Sequence, residues 1–215
     1  MKLYAHPFSS YCQKVLIALY ENRIDFEYRV LGGDAAIAAE HARLWPLRRM
    51  PLLDDAGRVV IESSIIIEYL QLHHPGPVRL IPQGPDAALQ VRTLDRYFDQ
   101  YVMTPMQKIV LDHLRPAAER DAYGVAQAHA LLEESYAWLE TQLTSTWAAG
   151  EEFTLADCAA APSLFYADWV HPMAESMPKL RAYRARLLAR PSFARAVDEA
   201  RPFRQFFPPG APDRD

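Results

Sequence analysis

KLYAHPFSSYCQKVLIALYENRIDFEYRVL, residues 2–31, is the stretch on which the fold turns. Residues 2–5, KLYA, suit a short strand, and His6-Pro7 ends it because proline has no N–H for a ladder. From Ser10 to Asn22 the apolar residues Val15, Leu16, Ala18 and Leu19 follow helical spacing. In residues 26–31 the side chains of Phe26, Tyr28 and Val30 alternate onto one face, as in a strand. A strand, a helix and a second strand in this order predict a parallel pair joined by a helical crossover.

Outward from this unit the pattern continues. Ala35 to Leu44 reads as a helix stopped near Pro46. PLLDDAGRVVIES, residues 51–63, reads as a hairpin turning around Asp54-Asp55-Ala56-Gly57. SSIIIEYLQLHH, residues 63–74, reads as a helix with Ser63 at its N-cap. The order β-α-β-α-β-β-α therefore fills residues 1–75. Residues 76–85 belong to a Pro- and Gly-rich stretch that marks a linker. Beyond it no strand pattern remains, and residues 86–215 carry helical periodicity. Thr154 and Asp157 form a capping pattern before an apolar helix, a structural role. Pro178 and Pro191 suit helix first turns. The tail from Pro208 onward is expected to fray.

Bulk properties exclude several classes. Half of the 215 residues are hydrophobic, so a sizeable core can form, and the net charge of −4 argues against a general nucleic-acid binder. Cys12 and Cys158 are too few and too far apart for a disulfide framework, and they fit free thiols in a reducing compartment. The start MKLYAHPFSS has no apolar signal segment, and no apolar run reaches ~18 residues. The expectation is a cytoplasmic protein without nucleic-acid or membrane partners. Motifs for a nucleophile elbow, phosphate-binding glycine loops or a HExxH zinc site are absent. His73 and His74 are adjacent and share no helix face, so no metal is expected.

Five stretches in this order, PFSSYCQKVLIAL, Trp45-Pro46, RRMPLL, ESSIIIEYL and FTLADCAAAP, resemble the cytosolic glutathione transferase family. The serine-type beginning is similar to its zeta- and theta-like members. The resemblance runs from residue 2 to about residue 200, and the set is specific through its order and spacing. It departs at Trp45, where members usually carry Asn. The resemblance implies a thioredoxin-like αβ domain followed by an all-α domain, glutathione as co-substrate, no metal, and a homodimer pairing unlike domains of two chains.

Glutathione has a thiol, two carboxylates and an ammonium group, and each needs a partner. A free thiol with pKa about 8.5 is only ~3% thiolate at pH 7. Lowering it to ~6.5 takes roughly 2.7 kcal/mol. A helix N-terminus contributes up to ~2 kcal/mol, and a donated hydroxyl adds ~1.5 kcal/mol, which together suffice without a metal. By resemblance Ser9 is the thiol's partner, Ser10 the second choice, and Tyr11 a substitute hydroxyl or a flank of the electrophile pocket; Tyr4 is a weak competitor. The frame Ser9-x-x-Cys12 lacks the first cysteine of a redox pair, so disulfide exchange is disfavoured and Cys12 is expected in the core.

The resemblance also implies a cis bond at Met50-Pro51, with the Met50 backbone pairing with the cysteinyl part of glutathione like an added strand. It implies Glu62 at the ammonium group and Ser63, with a helix N-terminus, at the γ-glutamyl carboxylate. Arg49 faces the glycyl carboxylate, with Arg48 as substitute. Tyr97, Tyr101, Met103, Met106 and Trp169 are candidates for the apolar pocket of the second substrate.

The leading expectation is thus a transferase that joins the glutathione thiolate to small, hydrophobic electrophiles. A glutathione-dependent isomerase of the maleylacetoacetate type is the first alternative. Tyr11 stands where those members carry cysteine, which weakens it. The second is a non-catalytic relative, like starvation-type proteins or translation-factor subunits, acting as a protein-binding module.

Overall fold

The computed structural model describes all 215 residues. Four short strands, β1 (Lys2–Ala5), β2 (Glu27–Val30), β3 (Leu52–Asp55) and β4 (Arg58–Ile61), form one sheet in the order β2-β1-β3-β4. β1 and β2 run parallel with Leu3 opposite Tyr28, and β3 runs antiparallel to β1 with Leu53 opposite Leu3. The crossover between β1 and β2 is α1 (Ser10–Glu21). α2 (Ala35–Leu44) leads from β2 to β3, and α3 (Ser63–His73) follows β4. The β3–β4 hairpin turns on Ala56 and Gly57, whose φ values of 52° and 93° give the doubly left-handed turn that matches strand twist.

The remainder is helical: α4 (Pro85–Tyr97), α5 (Thr104–Asp112), α6 (Ala122–Gln142), α7 (Leu155–Val170), α8 (Pro178–Leu188) and α9 (Pro191–Ala200). The periodicity over residues 86–114 suggests one long helix, but a wide π-helical turn at Phe98–Met103 separates α4 from α5. The pattern Thr154…Asp157 forms the expected capping box, with Thr154 N–H donating to Asp157 Oδ2 at 2.8 Å. Asp157 also accepts from Tyr183 Oη at 2.6 Å, which ties α7 to α8.

One continuous core of 49 buried residues joins the sheet unit to the helical unit. Its link is α1, which lies between them. Cys12, Val15, Leu16, Ile17, Ala18 and Leu19 are all buried, and so are Gln13 and Lys14, polar residues on what the spacing suggests is an outer face. Their burial is compensated by partners. Gln13 Nε2 donates to Pro7 O and to Tyr166 Oη of α7. Lys14 Nζ lies 2.5 Å from Asp95 Oδ1 and 2.7 Å from Asp99 Oδ2, and donates to Ser64 Oγ at 2.9 Å. Arg96 closes the cluster against Asp95 and Ser64. Two cations and two carboxylates are thereby neutralised, the condition under which charge survives in a core. Burial nevertheless pushes the Asp99 carboxyl upward, with Lys14 opposing.

The tail after Pro208 is held rather than frayed. Arg204 and Arg201 bind Asp215, and Arg214 binds Asp168 of α7 through its carboxylate and its carbonyl. Arginine in PPGAPDRD supplies the anchor that composition alone hides.

Candidate active site at the junction of the two units

Ser9 occupies the N-cap of α1 in an extended conformation, and its hydroxyl makes no capping hydrogen bond. The first turn of α1 carries no acidic side chain, so its positive end is not neutralised locally. Ser9 lines two cavities at once.

The first cavity, about 510 Å³, is polar. Its αβ side consists of Ser9, Tyr11, Trp45, Arg48, Arg49, Met50, Pro51, Ile61, Glu62 and Ser63. The helical unit closes it with Arg96, Asp99, Gln100, Thr104 and Gln107. Three arginines face two carboxylates, a net positive wall. Met50 and Pro51 are joined by a cis peptide bond. The preceding loop is held from behind, because Arg49 O lies 3.0 Å from Nε2 of buried His41. Glu62 sits at φ 69°, in the left-handed region that disfavours side-chain-bearing residues by about 1–2 kcal/mol. Such outliers cluster at functional sites. The Glu62 side chain is exposed and caps nothing, and Ser63, the first residue of α3, is buried beside it. The N-cap position is therefore Glu62, one residue before the serine that its hydroxyl suggests.

The second cavity, about 310 Å³, is mostly apolar. Phe8, Met106, Val110, Leu111, Tyr166, Phe206, Phe207 and Pro208 form its walls, with Ser9, Ser10, Arg49 and Gln107 at the boundary. Ser9, Arg49 and Gln107 are common to both cavities. The Tyr166 hydroxyl is occupied, accepting from Gln13 and donating to Phe8 O at 3.2 Å. Phe207 packs edge-on against Phe8 and Trp169, with ring centres 6.2 and 5.1 Å apart.

The three hydroxyl candidates separate. Ser9 touches both cavities, Ser10 only the apolar one, and Tyr11 only the polar one. Burial, with Asp99 adding, pushes the Tyr11 phenol up to about 12, so it stays protonated and able to donate. Cys12 is a buried core thiol that burial pushes up to about 11, which keeps it neutral. Tyr4 is fully buried and lines neither cavity.

Among the five apolar-pocket candidates only Met106 lines either of these two cavities. Met103 points into the core. Trp169 stands behind Phe8 and Phe207. Tyr97 stacks on Trp138 at 4.3 Å and donates to Ser135 O, and Tyr101 packs on Tyr97. The wide turn at Phe98–Met103 changes the helical phase, so residues spaced as one stripe end on different sides. Sequence reasoning also missed Trp45, Arg96, Asp99, Gln100, Thr104 and Gln107. The only signal for Arg96 and Asp99 is acidic-basic spacing on α4, which ordinarily reads as a solvated face.

Models of known families match both halves of the chain: glutathione S-transferase, N-terminal domain, over residues 3–78, and glutathione S-transferase, C-terminal domain, over residues 99–191. The chain belongs to the glutathione S-transferase family. Its fold is accordingly a thioredoxin-like N-terminal domain with an all-helical C-terminal domain. A glutathione S-transferase from Methylobacterium radiotolerans, solved in complex with glutathione sulfonate, is 33% identical, with 91% of this chain and 93% of that one covered and a TM-score of 0.79. A probable maleylacetoacetate isomerase of Vibrio cholerae is 29% identical over 93% of this chain and 96% of its own length. A stringent starvation protein A homolog of Pasteurella multocida is also 29% identical, over 94% and 92%.

Proposed function

We propose that this glutathione transferase activates glutathione at Ser9 and conjugates it to small apolar electrophiles of about single-ring size. The observation that carries the reading is the position of Ser9. Its uncapped hydroxyl, at the start of α1, is shared by a net-positive polar cavity and an apolar one. Glutathione carries one net negative charge with its thiol intact and two as thiolate, which suits the first cavity. In this arrangement Arg49 meets the glycyl carboxylate, with Arg48 beside it, and Met50 pairs through its backbone with the cysteinyl residue. Glu62 takes the ammonium group, and Ser63 with the N-terminus of α3 takes the γ-glutamyl carboxylate.

The chemistry then needs little from side chains. The thiol loses its proton to solvent, Ser9 donates to the resulting thiolate, and the helix terminus stabilises its charge. Sulfur attacks the electrophilic carbon across the shared boundary, and the leaving group departs with the bonding pair. Gln107 and Arg49, also on that boundary, can stabilise charge that develops on the electrophile. Tyr11, protonated and within the polar cavity, is the auxiliary donor.

The apolar walls favour conjugation over isomerisation. Maleylacetoacetate carries two carboxylates, whereas the second cavity offers Arg49 as its single cation, already shared with glutathione. We further propose a role in detoxification, a cytoplasmic location and a homodimer. No helix is long and apolar enough to cross a membrane, and exposed Ile65 on α3 and Leu89 on α4 supply apolar surface on both units for pairing.

The test is calorimetric titration with glutathione of the wild type and Ser9→Ala, with thiolate absorbance followed against pH. A lowered thiol pKa that rises in Ser9→Ala, with turnover of an activated aryl halide, supports the reading. Turnover of maleylacetoacetate alone would shift it to the isomerase. No binding at millimolar glutathione would leave the protein-binding module.

A further inference from the structure

A third cavity, about 500 Å³, lies between α7, α8 and the end of the chain. Asp168, Pro172, Met173, Arg181, Arg184 and Arg214 line it, none of them shared with the glutathione or electrophile cavities. Three guanidinium groups face a single carboxylate, and that carboxylate is already engaged. Asp168 Oδ1 accepts from Met173 N–H at 2.9 Å, and Oδ2 takes Arg214 Nη1. Arg184 Nη2 stands 3.3 Å from the same oxygen without the alignment of a hydrogen bond.

Two consequences follow for Arg184. Its Nε and Nη2 are buried and have no hydrogen-bond partner. Burial also draws its guanidinium below the ordinary arginine range, and Asp168 only partly offsets this. Arg181, on the same helix, makes no ion pair and is exposed at the mouth. Nearby, the buried hydroxyl of Tyr136 is likewise unpartnered, and its phenol feels the charges of both Asp168 and Arg184. Unpaired buried donors are rare in native proteins, and an acceptor-rich ligand in this cavity would satisfy those of Arg184.

We propose that this cavity binds a small doubly charged oxyanion, a phosphate group, between Arg181, Arg184 and Arg214. Guanidinium forks match tetrahedral oxyanions through paired N–H donors. The excess of two positive charges matches a phosphate dianion better than a carboxylate. Asp168 orients the arginines and relieves their mutual repulsion. The phosphate is either free or the end of a phosphate monoester. Arg214 belongs to the tail whose earlier residues, Phe206 and Phe207, wall the electrophile cavity. Occupancy therefore holds that tail against α7 and α8.

The experiment is calorimetric titration with inorganic phosphate, and separately with glycerol 1-phosphate, at constant ionic strength. Wild type, Arg181→Ala, Arg184→Gln and Arg49→Ala are compared. Saturable binding is expected in the wild type and in Arg49→Ala, weakened about tenfold or more in Arg181→Ala, a surface change that leaves the core intact. Arg184→Gln, where it folds, weakens binding further. Tighter binding of glycerol 1-phosphate identifies an esterified source, and equal or weaker binding a free one. Absence of saturable binding overturns the proposal. So does binding lost in Arg49→Ala but kept in Arg181→Ala, which would put the phosphate in the glutathione cavity.

Discussion

The two cavities that meet at Ser9 are built in opposite ways. The polar one draws its αβ wall from residues 45–63 together with Ser9 and Tyr11, and fixes it by backbone devices: the cis bond at Met50–Pro51 and positive φ at Arg48 and Glu62. The apolar one collects Phe8, Met106, Val110, Leu111, Tyr166 and Phe206 to Pro208, positions spread over nearly the whole chain. The first takes most of its lining from short segments of the αβ unit, and the helical unit only closes it with residues 96–107. The second exists only when α1, α5, α7 and the tail are assembled. A constant co-substrate suits the local construction, and a variable electrophile suits the dispersed one, because its walls can change without disturbing the other.

The largest expected effect tests what holds both cavities together. Lys14 compensates Asp95 and Asp99 across the domain boundary. Lys14→Met leaves two buried carboxylates with Arg96 alone, and breaking a buried pair by removing one partner costs about 3–5 kcal/mol. Chemical denaturation should show that loss, and both cavities should fail together. A loss below about 1 kcal/mol would show that the units stand independently and that the comparison is between separate domains.

Next comes the shared atom. Ser9→Ala should raise the pKa of bound glutathione by about one to two units, equivalent to roughly 1.4–2.7 kcal/mol. The loss in kcat/KM should be about three- to 25-fold with an aryl halide at pH 7, following the fall in thiolate fraction. Ser10→Ala should change that pKa little, since Ser10 faces only the apolar cavity. An equal effect from both would mean that the thiol sits deeper in the apolar side than proposed.

The same contrast explains what could be read in the residues beforehand. Strand alternation, the Asp54–Gly57 turn and the Met50-Pro51 and Glu62-Ser63 pairs are local, and the structure places those pairs on one cavity. Tyr97, Tyr101 and Met103 are candidates for an apolar wall by residue type, and the wide turn at Phe98–Met103 breaks the helical phase that would set them on one face, while Trp169 on α7 is held behind Phe8 and Phe207. Phe206 and Phe207 stand directly before the tail, from Pro208 onward, whose composition signals fraying. Its order comes from Arg204 and Arg214, whose partners are distant in sequence or have no periodic pattern. Long-range pairing of this kind leaves no local signal.

A smaller effect should separate the cavities kinetically. Phe207→Ala removes an aromatic wall of the electrophile cavity alone, so KM for an apolar electrophile should rise about tenfold, about 1.4 kcal/mol, with glutathione affinity unchanged. Arg49→Ala should instead change both constants, because Arg49 lines both cavities. Steady-state kinetics with each substrate varied in turn distinguishes the patterns. A rise in both constants for Phe207→Ala would couple the tail to the glutathione side.

The smallest effect concerns acid. Arg201, and then Arg204, hold the Asp215 carboxyl below the usual range. A folded-state pKa below the unfolded value of about 3.9 means that this contact stabilises the tail fully above that pH and is lost as pH falls through the lower folded value. Asp99 behaves oppositely. Burial raises its pKa, so falling pH favours protonation in the folded state over the unfolded one and does not by itself loosen the domain boundary. Mild acid should therefore open the electrophile side first. Hydrogen-exchange protection of residues 201–215, taken relative to the intrinsic rate at each pH, should fall below about pH 4 while α1 stays protected, and the Asp215 contribution should be modest because surface ion pairs are weak. Added salt screens the pair and should move the onset toward the unfolded value. Asp215→Asn should exchange fast at neutral pH and show no acid step. Equal acceleration in α1 and in the tail would mean that the two sides of Ser9 respond as one unit, and the contrast in their construction would then have no counterpart in their dynamics.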